Sequence, residues 1–424
     1  MDWKEIVFLL ISACGLFADL ALGSSELLMV QTVFRHGRRA PATQFATDEA
    51  KTFFFRGLGH LTDEGYLQAE FLGKLLRERY VNNSFLDGRM LPNQILFRSS
   101  DAERCLITAQ MVGRGMFPNF APAVFTTPEE DDYLLRPKLN CPGMIAEMQR
   151  AFDVDSSQLE NQELPLLVFT GKAMEAAYNQ TKSIRQEFTS KITSLIIEKE
   201  AGVAVPSWFN EEASKEAYLL LYHAISVMSG TGPYKRASWI KPKSGFFLNT
   251  LMFDIRQKVE CLKNPSLKQC GKIRKFYAYS THDIVLMPLL ESLGAREAAV
   301  GVNAVTDYCS TLVIELWLIN DHPAVKVLYR RSPDDEEFTT VTEYITGCPA
   351  GEQFCNAEKF TSCCDEFITT SPKAECWGAP LDWNFNALSY LLVGVIALLI
   401  VLSIFLVWKS IRRRNTSKVE KNVK

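Results

Sequence analysis

The sequence predicts an α/β protein, because three apolar, strand-like runs each end at a charged motif. The runs and motifs are Leu27–Phe34 before Arg35-His36, Ile95–Phe97 before Arg98, and Lys275–Ser280 before His282-Asp283. Helix-like sequence follows the second and third motifs, over 102–111 and 284–293, and alternation of strand with helix is typical of α/β sheets. Ligands of such sheets bind beyond the carboxyl ends of the strands, so we expect these Arg, His and Asp side chains to form one anion site.

The first 23 residues are typical of a secretory signal peptide. Ile6 to Leu22 contains Asp19 as its one charge, and Ala21-Leu22-Gly23 offers a small-x-small cleavage site. Asp2 and Glu5 make the amino-terminal region atypical, which leaves an uncleaved anchor as the alternative.

Residues 35–41, Arg-His-Gly-Arg-Arg-Ala-Pro, directly follow the first strand-like run. Guanidinium groups bind phosphate through bidentate N–H forks, and a neutral imidazole nitrogen is a nucleophile toward phosphorus. Gly37 allows tight backbone curvature or close approach of a ligand, and Pro41 ends regular structure. The segment therefore predicts a site that both holds and attacks an anion.

A helix is expected over Thr62 to Tyr80. Thr62 can cap its amino end, acidic residues fill its first turn, and arginines fill its last. Between about 129 and 260 the pattern becomes helical and more polar, with helices expected over 183–199 and 211–228.

The C-terminal part of the chain predicts a membrane anchor. Residues 387–408 contain no charge, and at ~1.5 Å per residue they are long enough to cross a bilayer core of ~30 Å. Lys409 and Arg412–Arg414 follow at once, which places a tail of residues 409–424 in the cytosol. We expect a single-pass type I membrane protein with a lumenal or extracellular body of residues 24–380.

Composition excludes several classes of function. The formal net charge is −3, so nothing indicates a nucleic-acid partner. The sequence has no G-x-x-x-x-G-K loop, and its His, Cys and carboxylate residues lack metal-ligand spacing. We therefore expect neither a metal nor another cofactor.

Cysteine and asparagine positions agree with export. Cys14 leaves with the signal peptide, and the other ten cysteines lie between Cys105 and Cys376, which favours disulfides. Cys261 and Cys270 are close enough in sequence to bridge each other. Asn82 and Asn179 lie in glycosylation motifs on the lumenal side, whereas a third motif, at Asn415, would face the cytosol and stay unmodified.

Taken together, the motifs resemble the signature of the histidine acid phosphatases, the branch that includes the lysosomal and prostatic enzymes. The matching blocks cover roughly residues 26 to 377. They are R-H-G-x-R-x-P at 35–41, G-x-L-T-x-x-G at 59–65, L-R-x-R-Y at 76–80, R-S-x-D-x-x-R at 98–104, Asn140-Cys141-Pro142, His282-Asp283 and Glu375-Cys376.

The resemblance implies a central mixed sheet flanked by helices, with residues 129–260 as a smaller α-helical cap domain over the site. It implies that His36 is the nucleophile and forms a phosphohistidine, and that Asp283 protonates the leaving alcohol. The phosphate would be held by four further side chains, Arg35, Arg39, Arg98 and His282. It also implies a homodimer and two disulfides, Cys141–Cys376 and Cys348–Cys355. Cys105, Cys309, Cys363 and Cys364 stay unassigned, because the family's partner of Cys309 has no counterpart here.

For other charged or histidine residues, most of them near the motifs, the sequence predicts roles outside the catalytic step. Arg104 is expected in a supporting or structural ion pair, and His60 stands where the family usually has Gln and is expected to serve the start of a helix. His223 and His322 show no partner spacing and are expected to be ordinary surface or core residues. Arg38 would make the rim of the pocket more basic and favour substrates with additional negative charge.

The sequence thus predicts a membrane-tethered acid phosphatase that hydrolyses phosphate monoesters outside the cytosol. Three guanidinium groups should keep His36 neutral in mild acid, and Asp283 needs a proton, so an acidic optimum is expected. The alternatives are a narrow-specificity lysophosphatidate or inositol-phosphate phosphatase and a non-catalytic cell-surface binding ectodomain. The plasma membrane and the lysosome both remain open as locations.

Overall fold

Eight strands form one mixed sheet in the part of the chain that the computed structural model describes, which is residues 24–136, 141–159, 165–179, 181, 183–184, 190–378 and 394–409. The strands are β1 (Ser25–Arg35), β2 (Ile95–Ser99), β3 (Val124–Phe125), β4 (Phe276–Thr281), β5 (Thr311–Ile319), β6 (His322–Arg330), β7 (Thr339–Thr340) and β8 (Cys355–Asn356). Their order is β3-β2-β4-β1-β5-β6-β7, and β8 pairs with β6. Strands β3, β2, β4 and β1 are parallel, and β5, β6, β7 and β8 add antiparallel pairs.

Helices cover the sheet and fill the segment between β3 and β4. They are α1 (Asp48–Phe53), α2 (Asp63–Tyr80), α3 (Glu103–Met116), α4 (Pro142–Phe152), α5 (Leu166–Tyr178), α6 (Ile192–Glu200), α7 (Glu211–Ser229), α8 (Ala237–Ile240), α9 (Phe246–Lys263), α10 (Asp283–Leu293), α11 (Arg296–Val300), α12 (Ala357–Thr361) and α13 (Pro372–Trp377). The predicted α/β class and mixed sheet are confirmed.

The central strands are buried on both faces, which explains why they appear in the sequence as continuous apolar runs. In β1, Val33 packs into one hydrophobic cluster and Phe34 into the other, on the opposite face. All six residues of β4 are buried. The parallel register pairs Arg35 with Thr281 and Ser99 with Ser280, so β1, β2 and β4 end at one level.

Helix α2 ends at Tyr80, as its sequence predicts, and the Thr62 hydroxyl caps it by accepting from the Gly65 N–H at 3.1 Å. Helices α3 and α10 directly follow β2 and β4. The second helix expected in the 129–260 insert is α7, whereas α6 begins at Ile192, and residues 185–189 of the first prediction lie outside the described residues.

The structure contains both disulfides that the resemblance implies, Cys141–Cys376 and Cys348–Cys355. The Cys261–Cys270 bridge is also present, and the neighbours Cys363 and Cys364 are joined to each other. Two cysteines, Cys105 and Cys309, are free and buried.

The chain divides into two compact units, Met1–Gly378 and Ala379–Lys424. In the second unit, residues 394–409 form a helix. Across the described ranges, no helix combines the length and the apolar character that crossing a membrane requires. The predicted signal peptide (1–23), the first part of the predicted anchor (387–393) and nearly all of the predicted tail (410–424, with Asn415) lie outside the described residues.

A buried lysine lies in the π-helical turn Lys241–Gly245 between α8 and α9. Lys243 is 1% exposed, and its Nζ has no hydrogen-bond partner among the described residues. Burial lowers the pKa of Lys243 from its ordinary value of 10.5 to about 7, because the charged form loses its hydration. The free-energy cost of charging Lys243 in the folded protein is therefore full below about pH 7 and fades as the pH rises toward 10.5.

We expect Lys243→Met to raise the melting temperature by a few degrees at pH 5 and by much less near pH 10, because methionine removes the buried charge at similar volume. Thermal unfolding of both proteins at the two pH values checks this. Lys241→Met, at a half-buried lysine of the same turn, is the matched control. An equal rise in melting temperature at both pH values would contradict the lowered pKa of Lys243.

Candidate active site

The carboxyl ends of β1 and β4 bring two histidines together. His36 follows β1 and donates its backbone N–H to the Thr281 carbonyl oxygen at 3.1 Å, while His282 follows β4 and precedes the first turn of α10. The two rings meet edge to face with their centroids 5.7 Å apart, and both side chains are buried. The strand register thus joins residues that lie almost 250 positions apart in the sequence.

His36 is held in one tautomer. Its Nδ1 lies 2.9 Å from the Gly37 carbonyl oxygen, which can only accept a hydrogen bond, so Nδ1 carries the proton and Nε2 keeps a free electron pair. Burial, followed by the positive charges of Arg104, Arg35 and Arg39, holds the pKa of the His36 imidazole well below its usual value. His36 is therefore a neutral ring with an available nucleophilic nitrogen even in mild acid.

Arg35 and Asp283 form an ion pair beside these rings. The Arg35 Nη2 lies 2.8 Å from the Asp283 Oδ2, and its Nη1 donates to the Thr306 carbonyl oxygen at 2.5 Å. The guanidinium also stacks over the buried Tyr308 ring, 4.5 Å from its centroid. Burial by itself would raise the pKa of Asp283, but Arg35 and then Arg39 outweigh it, so this pKa lies below its usual value. Asp283 is thus a carboxylate when no substrate is bound.

Gly37 and Gly65 let the amino end of α2 contact residues 35–41, called the motif below, directly. A Cβ atom on Gly37 would lie 2.4 Å from the Gly65 carbonyl oxygen, and one on Gly65 would lie 2.1 Å from the Arg38 carbonyl oxygen. Any side chain at either position would push α2 away from the motif. The sequence predicted tight curvature or close approach of a ligand at Gly37, and the close approach in the structure is that of helix α2.

Arg39 and Arg104 are two guanidinium groups near His36 that form no ion pair with a carboxylate among the described residues, although both feel the charge of Asp283. Arg39 donates from Nη1 to the Ala40 carbonyl oxygen at 2.8 Å, and the Arg104 Nη2 lies 3.5 Å from the His282 Nδ1. The Nε atoms of Arg39 and Arg104 are both buried, and neither has a hydrogen-bond partner among the described residues. Two uncompensated positive charges match a phosphate dianion.

The sequence predicts a supporting or structural ion pair for Arg104. Among the described residues it forms no ion pair, and its Nη2 lies beside His282. Arg104 belongs to the first turn of the helix after β2, which puts it at the same edge of the sheet as the strand end.

Arg98 was predicted to hold phosphate, but its guanidinium contacts other groups of the protein. Its Nη2 lies 3.2 Å from the Oδ2 of the buried Asp132 and donates to the Thr127 hydroxyl at 2.8 Å, and its Nη1 donates to the Ser99 carbonyl oxygen at 2.5 Å. Within the described ranges no hydrogen bond or ion pair joins Arg98 to either histidine or to Asp283. The structure therefore places Arg98 where it holds the loop after β3.

His282 lies against polar and sulfur groups. Its Nε2 is 3.0 Å from the Ser100 hydroxyl and 3.7 Å from the Cys105 thiol. Burial, and then Arg104 and Arg136, hold the pKa of His282 well below its usual value. Burial also raises the pKa of the Cys105 thiol to about 11 and that of Cys309 to about 12, so neither is a thiolate nucleophile at neutral or acid pH.

Arg38 is neutralised on the other side of the motif. Its Nη1 lies 3.1 Å from the Glu64 Oε2 and donates to the Glu200 carbonyl oxygen of α6 at 3.0 Å. The positive charge that the sequence places at this rim is thus paired with a half-exposed carboxylate, and a preference for multiply charged substrates stays a prediction. The same contact ties α6, part of the helical insert, to the motif.

The remaining candidates lie outside this centre. His60 precedes α2 and pairs with Glu103, His223 is 3.1 Å from the Tyr234 hydroxyl, and His322 is exposed at the start of β6. Asn82 and Asn179 are both exposed, as glycosylation requires. In the ranges that the structure describes, no group of three or more His, Cys, Asp or Glu side chains could hold a metal ion.

The chain is similar to known phosphatases over most of its length. A model of the histidine phosphatase superfamily, branch 2, matches residues 26–330. The Caenorhabditis elegans protein "Putative acid phosphatase 1" is 42% identical over 402 residues, which cover 93% of this chain and 94% of that protein. Testicular acid phosphatase of Mus musculus is 28% identical over 426 residues and 92% of each protein. The solved phytase of Citrobacter braakii matches with a TM-score of 0.54 over 83% of this chain and 99% of its own, and at 15% identity it shows the fold alone.

Proposed function

The chain belongs to branch 2 of the histidine phosphatase superfamily and is an acid phosphatase, and from this we propose that it hydrolyses phosphate monoesters through a phosphohistidine formed on His36. The observation that carries the proposal is the hydrogen bond from Nδ1 to the Gly37 carbonyl oxygen, at 2.9 Å. It leaves the Nε2 electron pair free beside two uncompensated guanidinium groups, so attack and charge neutralisation occur at one place.

The reaction has two steps. In the first, Nε2 of His36 forms a bond to phosphorus, the bond from phosphorus to the leaving oxygen breaks, and Asp283 gives its proton to that oxygen. In the second, Asp283 takes a proton from water, the water oxygen attacks phosphorus, and the bond from phosphorus to Nε2 breaks. Inorganic phosphate leaves, His36 is again neutral, and Asp283 releases to the solvent the proton that it took from water, so that it is a carboxylate in the free protein.

Asp283 gains its proton from the solvent when the substrate binds. In the free protein Arg35 keeps the pKa of Asp283 below its usual value. A bound phosphate adds negative charge next to Asp283 and draws on the Arg35 guanidinium, and both effects raise the affinity of the carboxylate for a proton. Acid solution then supplies that proton, which agrees with the enzyme's class.

Arg39 and Arg104 hold the phosphate in this proposal, with Arg35 as a third donor and His282 beside Arg104. The assignment of Arg104 replaces the one predicted for Arg98, because Asp132 already neutralises Arg98 and no carboxylate pairs with Arg104 among the described residues. An arginine without a counter-ion gains more from a bound dianion than one whose charge is already paired.

Specificity is broad by default, because the groups assembled here recognise phosphate rather than its alcohol. A narrow lysophosphatidate or inositol-phosphate phosphatase keeps the same chemistry and differs in the 129–260 insert, which we place as the cap over the site. A binding ectodomain without turnover has no physical need for a nucleophile and an acid in working geometry.

The proposal also includes export and anchoring. Residues 1–23 have the pattern of a signal peptide, and the uncharged stretch 387–408 is followed by Lys409 and three arginines, which is a stop-transfer pattern. The catalytic body of a type I protein then faces the lumen or the outside, at the plasma membrane or in the lysosome, as a monomer or a homodimer.

We expect purified residues 24–380 to release phosphate from p-nitrophenyl phosphate at pH 5 without added metal, and His36→Ala to lose at least about 10³-fold in kcat, because the nucleophile is gone. Wild type incubated with ³²P-labelled substrate and quenched in alkali should carry label on His36 that is stable in alkali and lost in acid. A folded His36→Ala protein that keeps its activity would overturn the phosphohistidine mechanism.

Arg104→Gln should lower kcat/KM about 10²-fold or more and weaken competitive inhibition by inorganic phosphate, since it removes a charge from the transition state. Arg98→Gln is the matched control and should leave the phosphate inhibition constant near the wild-type value. Melting temperatures of both variants report whether each is folded. If Arg98→Gln weakens phosphate inhibition as much as Arg104→Gln does, the original assignment of Arg98 stands.

Cells expressing the full chain should yield a mature protein that begins at Ser24 and shifts in mass after peptide N-glycosidase treatment. Asn82→Gln with Asn179→Gln should abolish the mass shift, and Asn415→Gln, the control, should leave it unchanged. A retained Met1, or a C-terminal epitope reached by antibody on intact cells, would contradict the proposed topology.

A further inference from the structure

Tyr308 lies in the active site, and no step of the proposed reaction uses it. Its ring centroid is 5.9 Å from that of the His36 ring, and the Arg35 guanidinium stacks over it, 4.5 Å from the centroid. The residue as a whole is 5% exposed. Tyr308 therefore lies beside both the nucleophile and the arginine that pairs with Asp283.

The backbone around Tyr308 is fastened to the same two residues. The Cys309 N–H donates to the His36 carbonyl oxygen at 3.2 Å, and the Arg35 N–H donates to the Ser310 carbonyl oxygen at 3.1 Å. Cys309 has a left-handed φ of 50°, a conformation that costs free energy in a residue with a side chain and that is often found at functional sites. These contacts fix where the Tyr308 side chain enters the site relative to His36.

The hydroxyl of Tyr308 is left open by the protein. Among the described residues it makes no hydrogen bond, and it is not one of the enclosed side-chain atoms, so solvent reaches it. Burial raises the pKa of this hydroxyl above its ordinary value of 10.0, although the positive charges of Arg39 and then Arg35 act against the rise. The hydroxyl is therefore a proton donor at acid and neutral pH, and it lies in the field of arginines that we place on the phosphate.

Stacking on Arg35 does not explain this hydroxyl. A phenylalanine would present the same kind of face to the guanidinium, since the attraction comes from the ring. In the free protein solvent can satisfy the hydroxyl, and a bound phosphate would replace that solvent with an oxygen that carries negative charge. A hydrogen bond to a charged acceptor is stronger than one between neutral groups. An open O–H group beside His36 thus suits an anionic ligand.

We infer that Tyr308 is a further catalytic residue, whose hydroxyl donates a hydrogen bond to a non-bridging oxygen of the phosphoryl group held by Arg39 and Arg104. This inference rests on the proposed function, because it needs phosphate at the Nε2 of His36. In the transition state of phosphoryl transfer, charge is spread over the three equatorial oxygens, so a donor aimed at one of them stabilises that state. Tyr308 keeps its proton throughout, and Asp283 remains the acid.

The test removes the hydroxyl and keeps the ring. In the full-length protein, Tyr308→Phe should lower kcat/KM about tenfold to a hundredfold, since a hydrogen bond to a charged oxygen is lost. The loss should be equal for p-nitrophenyl phosphate and phenyl phosphate, which differ in their leaving groups and share the same phosphoryl oxygens. Competitive inhibition by inorganic phosphate should weaken as well.

The matched control is Tyr279→Phe. Tyr279 is 3% exposed, and its ring packs against Phe247 in a hydrophobic cluster, 4.9 Å between centroids. Both variants keep the buried ring, so their melting temperatures should stay near that of wild type.

Equal losses for the two substrates in Tyr308→Phe, with Tyr279→Phe at the wild-type value, support the inference. A Tyr308→Phe protein as active as wild type overturns it, and a loss confined to Tyr308→Leu would then mean that the ring serves only to hold Arg35. A loss of the same size in Tyr279→Phe overturns it too. So does a larger loss for phenyl phosphate, the substrate with the poorer leaving group, because the hydroxyl would then act on the leaving oxygen.

Each of these outcomes leaves the phosphohistidine chemistry intact. Failure of the proposed function is a different result, namely activity that survives His36→Ala.

Discussion

The parallel register of β1 and β4 is the constraint on which the rest of the site depends. It ends both strands at one level, pairs Arg35 with Thr281, and lets the His36 backbone hydrogen-bond across to β4. A slip of one residue would turn each side chain of β1 to the opposite face and bury the wrong residues in both hydrophobic clusters. Apolar packing on the two faces of the sheet therefore also fixes the position of His36 relative to His282 and Asp283.

Charge balance around this register explains the division of labour among the arginines. Arg35 is neutralised by Asp283, Arg38 by Glu64 and Arg98 by Asp132, whereas Arg39 and Arg104 have no carboxylate partner among the described residues. Three of the five are thus held in ion pairs within the protein, and the other two are the ones that we propose bind the phosphate. Residue type alone could not separate these roles, because each depends on whether a carboxylate from elsewhere in the chain reaches the guanidinium.

The sequence predicted the features that depend on residues close together in the chain. The strands, the cap and length of α2, and the meeting of His36, His282 and Asp283 follow from apolar runs and strand ends. Tertiary contacts decided the rest: Asp132 captures Arg98, Tyr308 stacks on Arg35 from 273 positions away, and Gly65 presses on the motif.

Cys105 and Cys309 have a consequence for the lifetime of the protein. Both are reduced and buried in a chain whose other eight cysteines in the described ranges are bridged, and burial raises the pKa of each thiol, which keeps it unreactive. In an oxidising compartment only the folded state shields them. Unfolding would release two thiols beside four disulfides, and exchange among them would trap mispaired chains. Heat inactivation then becomes irreversible, and the rate of unfolding sets how long the enzyme survives.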